Sequence, residues 1–348
     1  MLYERNDLWK HLAETGKPIY LYGMGNGADK ILTVLESLGI HAKGVFASDD
    51  FVRYQNFHGY TVCSYADARA RDPEMIVLVS FGTQLDEVIS NILRIDKEQE
   101  LFAPFVPLFG DDLFDLSYCD SHSSDLEKVY SMLDDDLSRH VFSSILTYRV
   151  TGKISYLMDA TTEKDEIFQR FSLGERPSFV DLGAYNGDTI REFCSLWPEH
   201  SRIFAMEPDR KNFRKLVSNT MDIPYTTLCN ACSGSAEGSA YFAQKAGRNS
   251  SISQKGNIKV PMYTVDSMVR DSHVSYIKMD VEGNEADSIR GAARTIKKDH
   301  PSMLISAYHR SEDLFSLPLL VDSISGGYRI LMRHHRYIPD WDTNYYFL

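Results

Sequence analysis

The chain has 348 residues, 43% hydrophobic and 25% charged, a globular composition that excludes global disorder. At roughly 150 residues per domain it predicts two domains. Its net charge of −12 argues against a nucleic-acid partner, because counterion release needs a basic face. No apolar run approaches the ~18–20 residues of a membrane span. Met1–Lys10 lacks the apolar centre of a signal peptide. Five cysteines, odd in number and sparse, argue against a disulfide framework and fit a reducing, cytoplasmic setting.

The first readable unit is Ile19–Tyr22, an apolar strand that runs into Gly23-Met-Gly25-Asn-Gly27-Ala28 and then a helix with Ile31, Leu32, Leu35 and Leu38 on one face. Gly39 is placed to stop that helix. Further strands are predicted at Lys43–Phe46 and Met75–Ser80, with a helix near Gln84–Leu93. Alternating strands and helices imply a parallel sheet with right-handed crossovers. This predicts a small Rossmann-like, nucleotide-binding-type α/β domain over residues 1–110. Its glycine turn fits Gly-x-Gly-x-x-Ala, a dinucleotide fingerprint, with Asp49 near the ribose position. The turn is read either as a nucleotide site or as plain structure.

Residues 111–175 read as a helical connector or cap, with helices over Leu126–Leu133, Leu137–Tyr148 and Glu163–Phe171. The acidic Asp134-Asp135-Asp136 is read as a solvated helix start, since carboxylates suit a helix N-terminus.

Residues 176–348 form the third unit. Its predicted strands are Phe179–Leu182, Ile203–Met206, Thr227–Ala231, Tyr276–Met279, Met303–Ala307, Tyr328–Met332 and Asn344–Leu348. Only eleven residues separate the last two. That is too short for a helical crossover, so the pair is predicted antiparallel and the parallel sheet ends with one reversed strand.

Three motifs of this unit carry chemistry. In Val180-Asp181-Leu182-Gly183-Ala184-Tyr185-Asn186-Gly187-Asp188-Thr189 a strand bends into a helix, and glycine lets a ligand approach the backbone. The Gly-x-x-x-Gly spacing differs from the pyrophosphate cradle, and Asp181 and Asp188 would repel phosphate and welcome a cation. Glu207, before Pro208-Asp209 and 24 residues beyond Gly183, stands where a carboxylate can accept hydrogen bonds from a ribose diol. A nucleoside with a positive centre and no phosphate describes S-adenosyl-L-methionine. Third, Ile277-Lys278-Met279-Asp280-Val281-Glu282-Gly283-Asn284-Glu285 puts Asp280 and Glu282 at the carboxyl edge of the sheet, where ligands bind. Tyr308-His309 reaches the same edge.

The run Phe179–Leu348 resembles the FkbM family of S-adenosylmethionine-dependent methyltransferases. The resemblance rests on Phe179–Thr189, Glu207-Pro208-Asp209, Val265-Asp266-Ser267, Ile277–Glu285, Tyr308-His309 and Arg333-His334. Tyr148–Gly152 is similar to the lead-in of two-domain members. The resemblance implies a Rossmann-like class I methyltransferase domain and O-methylation, commonly of a sugar hydroxyl in a glycan, nucleotide sugar or glycosylated natural product. The partner expected is therefore a sugar-containing or small-molecule acceptor; a homo-oligomer stays open. By similarity Asp181, Gly183, Asn186, Glu207 and the Asn230-Ala231 turn line the cofactor site. Tyr185, Gly187, Thr189 and Pro208 join them as candidates, and Ser250 and Ser251 are candidates to close over it. His309, with a free pKa of about 6.5, and Asp280 are the candidate bases for the acceptor hydroxyl, with Glu282 beside them. The rival assignment makes Asp280, Glu282 and His309 ligands of a divalent magnesium- or manganese-type ion. The base assignment is preferred, with no metal ligand assigned.

Other signals have bland readings. Cys229-Asn-Ala-Cys232 is read as two core cysteines on opposite faces of one strand. Arg333, His334 and His335 are read as polar strand or turn residues, with acceptor binding as the other reading. Trp341, Tyr345 and Tyr346 are core candidates that could also stack on a sugar. Two rival functions remain: an NAD(P)-dependent sugar-nucleotide oxidoreductase working from the N-terminal glycine turn, and a non-catalytic cofactor-binding module.

Overall fold

A computed structural model describes residues 1–48, 52, 54–243, 251–252 and 258–348. Asp49 and Ser250 lie outside the described residues, and of Ser251 only the backbone is described.

The N-terminal sheet has five strands: β1 (Ile19–Tyr22), β2 (Gly44–Ala47), β3 (Cys63–Ser64), β4 (Ile76–Val79) and β5 (Glu100–Phe102). Their order is β3-β2-β1-β4-β5, and every pairing is parallel. Strands buried on both faces read as continuous apolar runs, which is how β1 and β4 show in the sequence. The helix Asn26–Ser37 follows Gly25 at φ +100° and stops before Gly39 at φ +70°. The helix expected near Gln84–Leu93 runs over Asp86–Glu98.

Five helices follow: Leu116–Ser121, Ser123–Met132, Asp136–Thr151, Ile154–Asp159 and Lys164–Phe168. The acidic run does start a helix, with Asp135 accepting from Ser138 N at 2.7 Å. Its carboxylate is not simply solvated, however, because Arg333 and Arg170 sit at 2.9 and 2.8 Å. The helix Asp136–Thr151 is buried on nearly every face beyond its first turns, as befits a helix packed inside a core rather than on a surface. One core cluster runs from Val77 of the first sheet through Phe142 and Ile145 of this helix to Ile305 and Met332 of the second sheet.

The second sheet has seven strands: β6 (Phe179–Leu182), β7 (Ile203–Met206), β8 (Thr226–Cys229), β9 (Tyr276–Met279), β10 (Ser302–Ser306), β11 (Ile330–His334) and β12 (Thr343–Phe347). Their order is β8-β7-β6-β9-β10-β12-β11. The strand β12 inserts antiparallel between its neighbours, pairing Leu304 with Tyr346 and Leu331 with Tyr346. The other contacts are parallel. This is the Rossmann-like class I methyltransferase layout, with its one reversed strand.

A small four-stranded sheet (Cys232–Ser233, Gly238–Ala243, Ser251–Ile252, Ile258–Tyr263) has no counterpart in the sequence reading. It also corrects the strand expected over Thr227–Ala231, which ends at Cys229. Cys229 and Cys232 therefore lie on different strands, and alternation along one strand does not relate them. Both thiols are free. Among the described residues no helix is long and apolar enough to cross a membrane.

Candidate functional site

A cavity of about 410 Å³ opens over the carboxyl ends of β6, β7, β9 and β10. Gly183 ends β6 at φ +79°, and a Cβ there would sit 1.8 Å from the Asp280 carbonyl oxygen. Gly187, at φ +87°, would drive a Cβ to 2.8 Å from Thr220 Cγ2. The chain's own packing thus also favours glycine at both positions, beside the bend and the ligand approach that the sequence reading gives them.

Glu207, at the end of β7, is 6% exposed. Tyr185 N donates to its Oε2 at 2.9 Å and Asp209 N to its Oε1 at 2.8 Å. Each oxygen keeps accepting capacity, since a carboxylate offers about four acceptor sites. Burial pushes its carboxyl up to about 7, with the two backbone donors opposing. Asn230 donates to the carbonyls of Glu207 and Pro208 at 2.8 and 3.1 Å and fixes the turn from behind.

Asp181 is fully buried. Thr189 Oγ1 donates to it, and Lys278 Nζ lies 3.3 Å from its Oδ1. Lys278 also donates to the Gly183 carbonyl at 3.0 Å. Burial raises the Asp181 pKa, and Lys278 opposes the rise. Of the expected cofactor residues, Gly183, Tyr185, Thr189, Glu207, Pro208 and Ala231 line the cavity. Asp181, Asn186, Gly187 and Asn230 stand behind its wall; Asn186 accepts from Asp188 N at 3.2 Å.

Beyond β9 the chain turns through Glu282 at φ +55° and Gly283 at φ +85°. Glu285 Oε1 ties this turn by accepting from Val281 N at 2.9 Å. Tyr308 Oη donates to Asp280 Oδ1 at 3.0 Å. The fully buried His309 has Nδ1 2.9 Å from Glu285 Oε1, with Nε2 3.5 Å from Asp280 Oδ1 and 3.8 Å from Glu282 Oε2. The structure thus brings all three expected catalytic residues to one wall of the cavity. It changes their protonation logic. Burial pulls His309 down, but Glu285, Asp280 and Glu282 outweigh it and push the imidazole up to about 10. Glu282 is pushed up to about 7 by burial, with His309 opposing. The upward direction at His309 favours Asp280, the other expected base, and Glu282 over His309 as proton acceptors. Among the described residues, the set spaced to hold a metal is Asp280, Glu285 and His309, with one ligand atom from each within 4.8 Å of the others.

The far wall comes from residues that carry no local motif. Gln84 and Leu108 arrive from the N-terminal unit, and His335, Tyr337, Trp341 and Asp342 from the loop before β12. Thr83 and Ile338 exchange backbone hydrogen bonds at 2.8 and 3.0 Å. Trp341 packs so closely on Gly82 that a Cβ there would fall 2.3 Å from its ring. Trp341, Tyr346 and His335 line the cavity, whereas Tyr345 is core, donating to the Leu314 carbonyl at 2.6 Å. Arg333 pairs with Asp135 and Glu166, and His334 is buried against Thr343. Lys278 was visible to the sequence reading as a cation inside an apolar strand, but was given no role there. The lining is strongly acidic: it includes Asp188, Glu192, Glu207, Asp209, Asp280, Glu282 and Asp342, with Lys164, Lys278 and His309 among them.

At the N-terminal glycine turn Gly23 and Gly27 pack tightly, while Gly25 is exposed with nothing within 4 Å of a Cβ there. Cβ atoms at Gly23 and Gly27 would lie 2.4 Å from Phe81 and 2.1 Å from the Ser80 carbonyl. The cavity beside Gly27, Phe81 and Trp341 measures about 20 Å³, room for about one water. A separate cavity of about 500 Å³ lies against Tyr22, Ser48, Arg69, Asn91 and Arg94. Both arginines there are engaged by Glu98.

Residues 181–338 match the methyltransferase FkbM domain. The crystal structure of methyltransferase FkbM from Methylobacillus flagellatus KT superposes with a TM-score of 0.72 at 19% identity, over 96% of this chain and 90% of that one. At that identity the likeness is one of fold. Precorrin-6y C5,15-methyltransferase from Geobacter metallireducens GS-15 has a TM-score of 0.35 at 13% identity, over 54% of this chain and 92% of its own. Aeropyrum pernix fibrillarin in complex with natively bound S-adenosyl-L-methionine has a TM-score of 0.33 at 16% identity, over 51% and 68%. Those two overlaps are too low to argue from. No curated protein matches the chain.

Proposed function

We propose, from the premise that residues 181–338 of this chain belong to the methyltransferase FkbM family, that the protein methylates a hydroxyl of a sugar-containing acceptor with S-adenosylmethionine as donor. The observation that carries the reading is Glu207. It is a nearly buried carboxylate at the end of β7, held by two backbone donors and still able to accept a ribose diol. The acidic lining fits the same ligand, since it favours a cation and repels a pyrophosphate. Lys278, a cation at the glycine turn, is already engaged by Asp181 and Gly183.

On this reading Glu207 holds the ribose, while Gly183, Tyr185, Thr189, Pro208 and Ala231 shape the adenosine pocket, which Asp181, Asn186, Gly187 and Asn230 brace. When bound, S-adenosylmethionine supplies an electrophilic methyl group on a positively charged sulfur. The chain's own residues act on the acceptor. Glu282, with its carboxyl near 7, is matched to taking a hydroxyl proton at neutral pH, a contribution of ~10²–10⁴-fold. Asp280, oriented by Tyr308, accepts a hydrogen bond from a neighbouring hydroxyl of the acceptor. His309, anchored through Glu285, faces both carboxylates and opposes the rise of the Glu282 carboxyl. Trp341 offers a flat apolar surface of the kind that stacks on a sugar ring.

The family match falls on residues 181–338 and not on the N-terminal glycine turn, which favours methyl transfer over the oxidoreductase alternative. The test that separates an enzyme from an inert binding module is transfer of labelled methyl to a panel of neutral glycosides. Turnover that falls at least 100-fold in Glu282→Gln supports the reading. Labelled donor that binds without transfer to any hydroxyl acceptor would leave a binding module.

A further inference from the structure

The geometry points to a divalent-cation site beneath this cavity, with Asp280, Glu285 and His309 as its protein ligands. The inference goes beyond methyl transfer and stands on the donor set alone. One atom from each residue lies within 4.8 Å of the others. Atoms bound to one ion at about 2.1–2.3 Å are themselves at most about 4.6 Å apart, so the three need only close slightly.

Three polar atoms in the cluster are buried and have no hydrogen-bond partner, Nδ1 and Nε2 of His309 and Oε2 of Glu285. Buried polar atoms are rarely left so. Glu285 Oε1 holds the ring through Nδ1 at 2.9 Å, the carboxylate–histidine contact that orients metal-binding imidazoles. That leaves Nε2 facing Asp280 Oδ1 at 3.5 Å and Glu282 Oε2 at 3.8 Å. Both distances are too long for hydrogen bonds and suit groups that converge on an ion. The charges agree. Asp280, Glu282 and Glu285 surround one imidazole, Asp313 lies behind them, and Arg310 turns its Nε to the Gly283 carbonyl at 2.8 Å. A doubly charged ion would balance the excess of carboxylates. Asp280, Glu282 and His309 line the open cavity, which gives the ion an entry path. Two carboxylates and an imidazole suit manganese or magnesium better than a thiophilic metal.

The test is a titration of the chelator-washed full chain with Mn²⁺ alone, read by the paramagnetic signal of free Mn²⁺. One ion per chain is expected, with affinity lowered at least tenfold in His309→Gln and in Asp280→Asn. Circular dichroism verifies folding. If His309→Gln does not fold, Asp280→Asn carries the test, because the Asp280 side chain is 35% exposed. No uptake of Mn²⁺ at millimolar concentration, or equal uptake by folded Asp280→Asn, overturns the site. S-adenosylhomocysteine is titrated in parallel. Its binding without Mn²⁺ uptake overturns the cation site alone, and Mn²⁺ uptake without its binding overturns the methyltransferase reading alone.

Discussion

Replacing Lys278 with methionine tests how the glycine turn is held. The ammonium lies 3.3 Å from Asp181 Oδ1 and 3.0 Å from the Gly183 carbonyl oxygen, and Asp181 is fully buried. Methionine keeps most of the volume and removes the charge. Asp181 retains Thr189 on Oδ2, but nothing replaces the ammonium at Oδ1. Stripping one partner from a buried ion pair costs about 3–5 kcal/mol. The cost should depend on pH. Without Lys278 the folded-state pKa of Asp181 rises further above its unfolded value, so the penalty is absent below the unfolded pKa and grows as pH increases. Urea unfolding at pH 5 and pH 8 should show the larger loss at pH 8. Asp181→Asn in the Lys278→Met background should restore at least about 2 kcal/mol, since neighbours in one network do not add. A single-mutant loss below about 1 kcal/mol, or strict additivity of the two substitutions, would refute the pairing argument.

Three further outcomes follow from the same geometry. Gly183→Ala, at φ +79° with a Cβ 1.8 Å from the Asp280 carbonyl oxygen, should cost at least about 2 kcal/mol in thermal or urea unfolding; a neutral effect would mean the two loops do not touch. Because burial holds the Glu207 carboxyl near 7, its ionised form is populated only as pH rises through that value. The free protein loses that group's stabilisation between the unfolded pKa and 7, while calorimetric affinity for S-adenosylhomocysteine should strengthen from pH 6 to pH 8, a trend that Glu207→Gln abolishes. Trp341→Ala should raise the acceptor KM about tenfold with S-adenosylhomocysteine affinity unchanged; a loss of cofactor affinity instead would place Trp341 outside the acceptor wall.

Residues whose setting is local were the legible ones. The strand ends that place Glu207, Asp280 and His309 on one edge follow from apolar runs and their order. The reversed β12 follows from an eleven-residue gap that no crossover fits. The small sheet between Cys232 and Tyr263 escaped because two of its four strands are only two residues long. Gln84, Leu108 and Asp342 carry no motif, and only tertiary packing sets Trp341 on Gly82. The carboxylates around His309 were equally hidden, because Glu285 becomes its partner only when the loop after β9 folds beneath the end of β10. Gly183 stands out in the sequence as a turn glycine, but the steric requirement comes from the Asp280 carbonyl, a contact between strands that are far apart in the chain.

The most direct measurement is the crystal structure of the full chain grown with S-adenosylhomocysteine. The account predicts density for the ligand over the end of β7, with both ribose hydroxyls on Glu207 and the sulfur facing Asp280 and Glu282. An empty crevice at saturating ligand, or a nucleotide seated there through its phosphates, would contradict it.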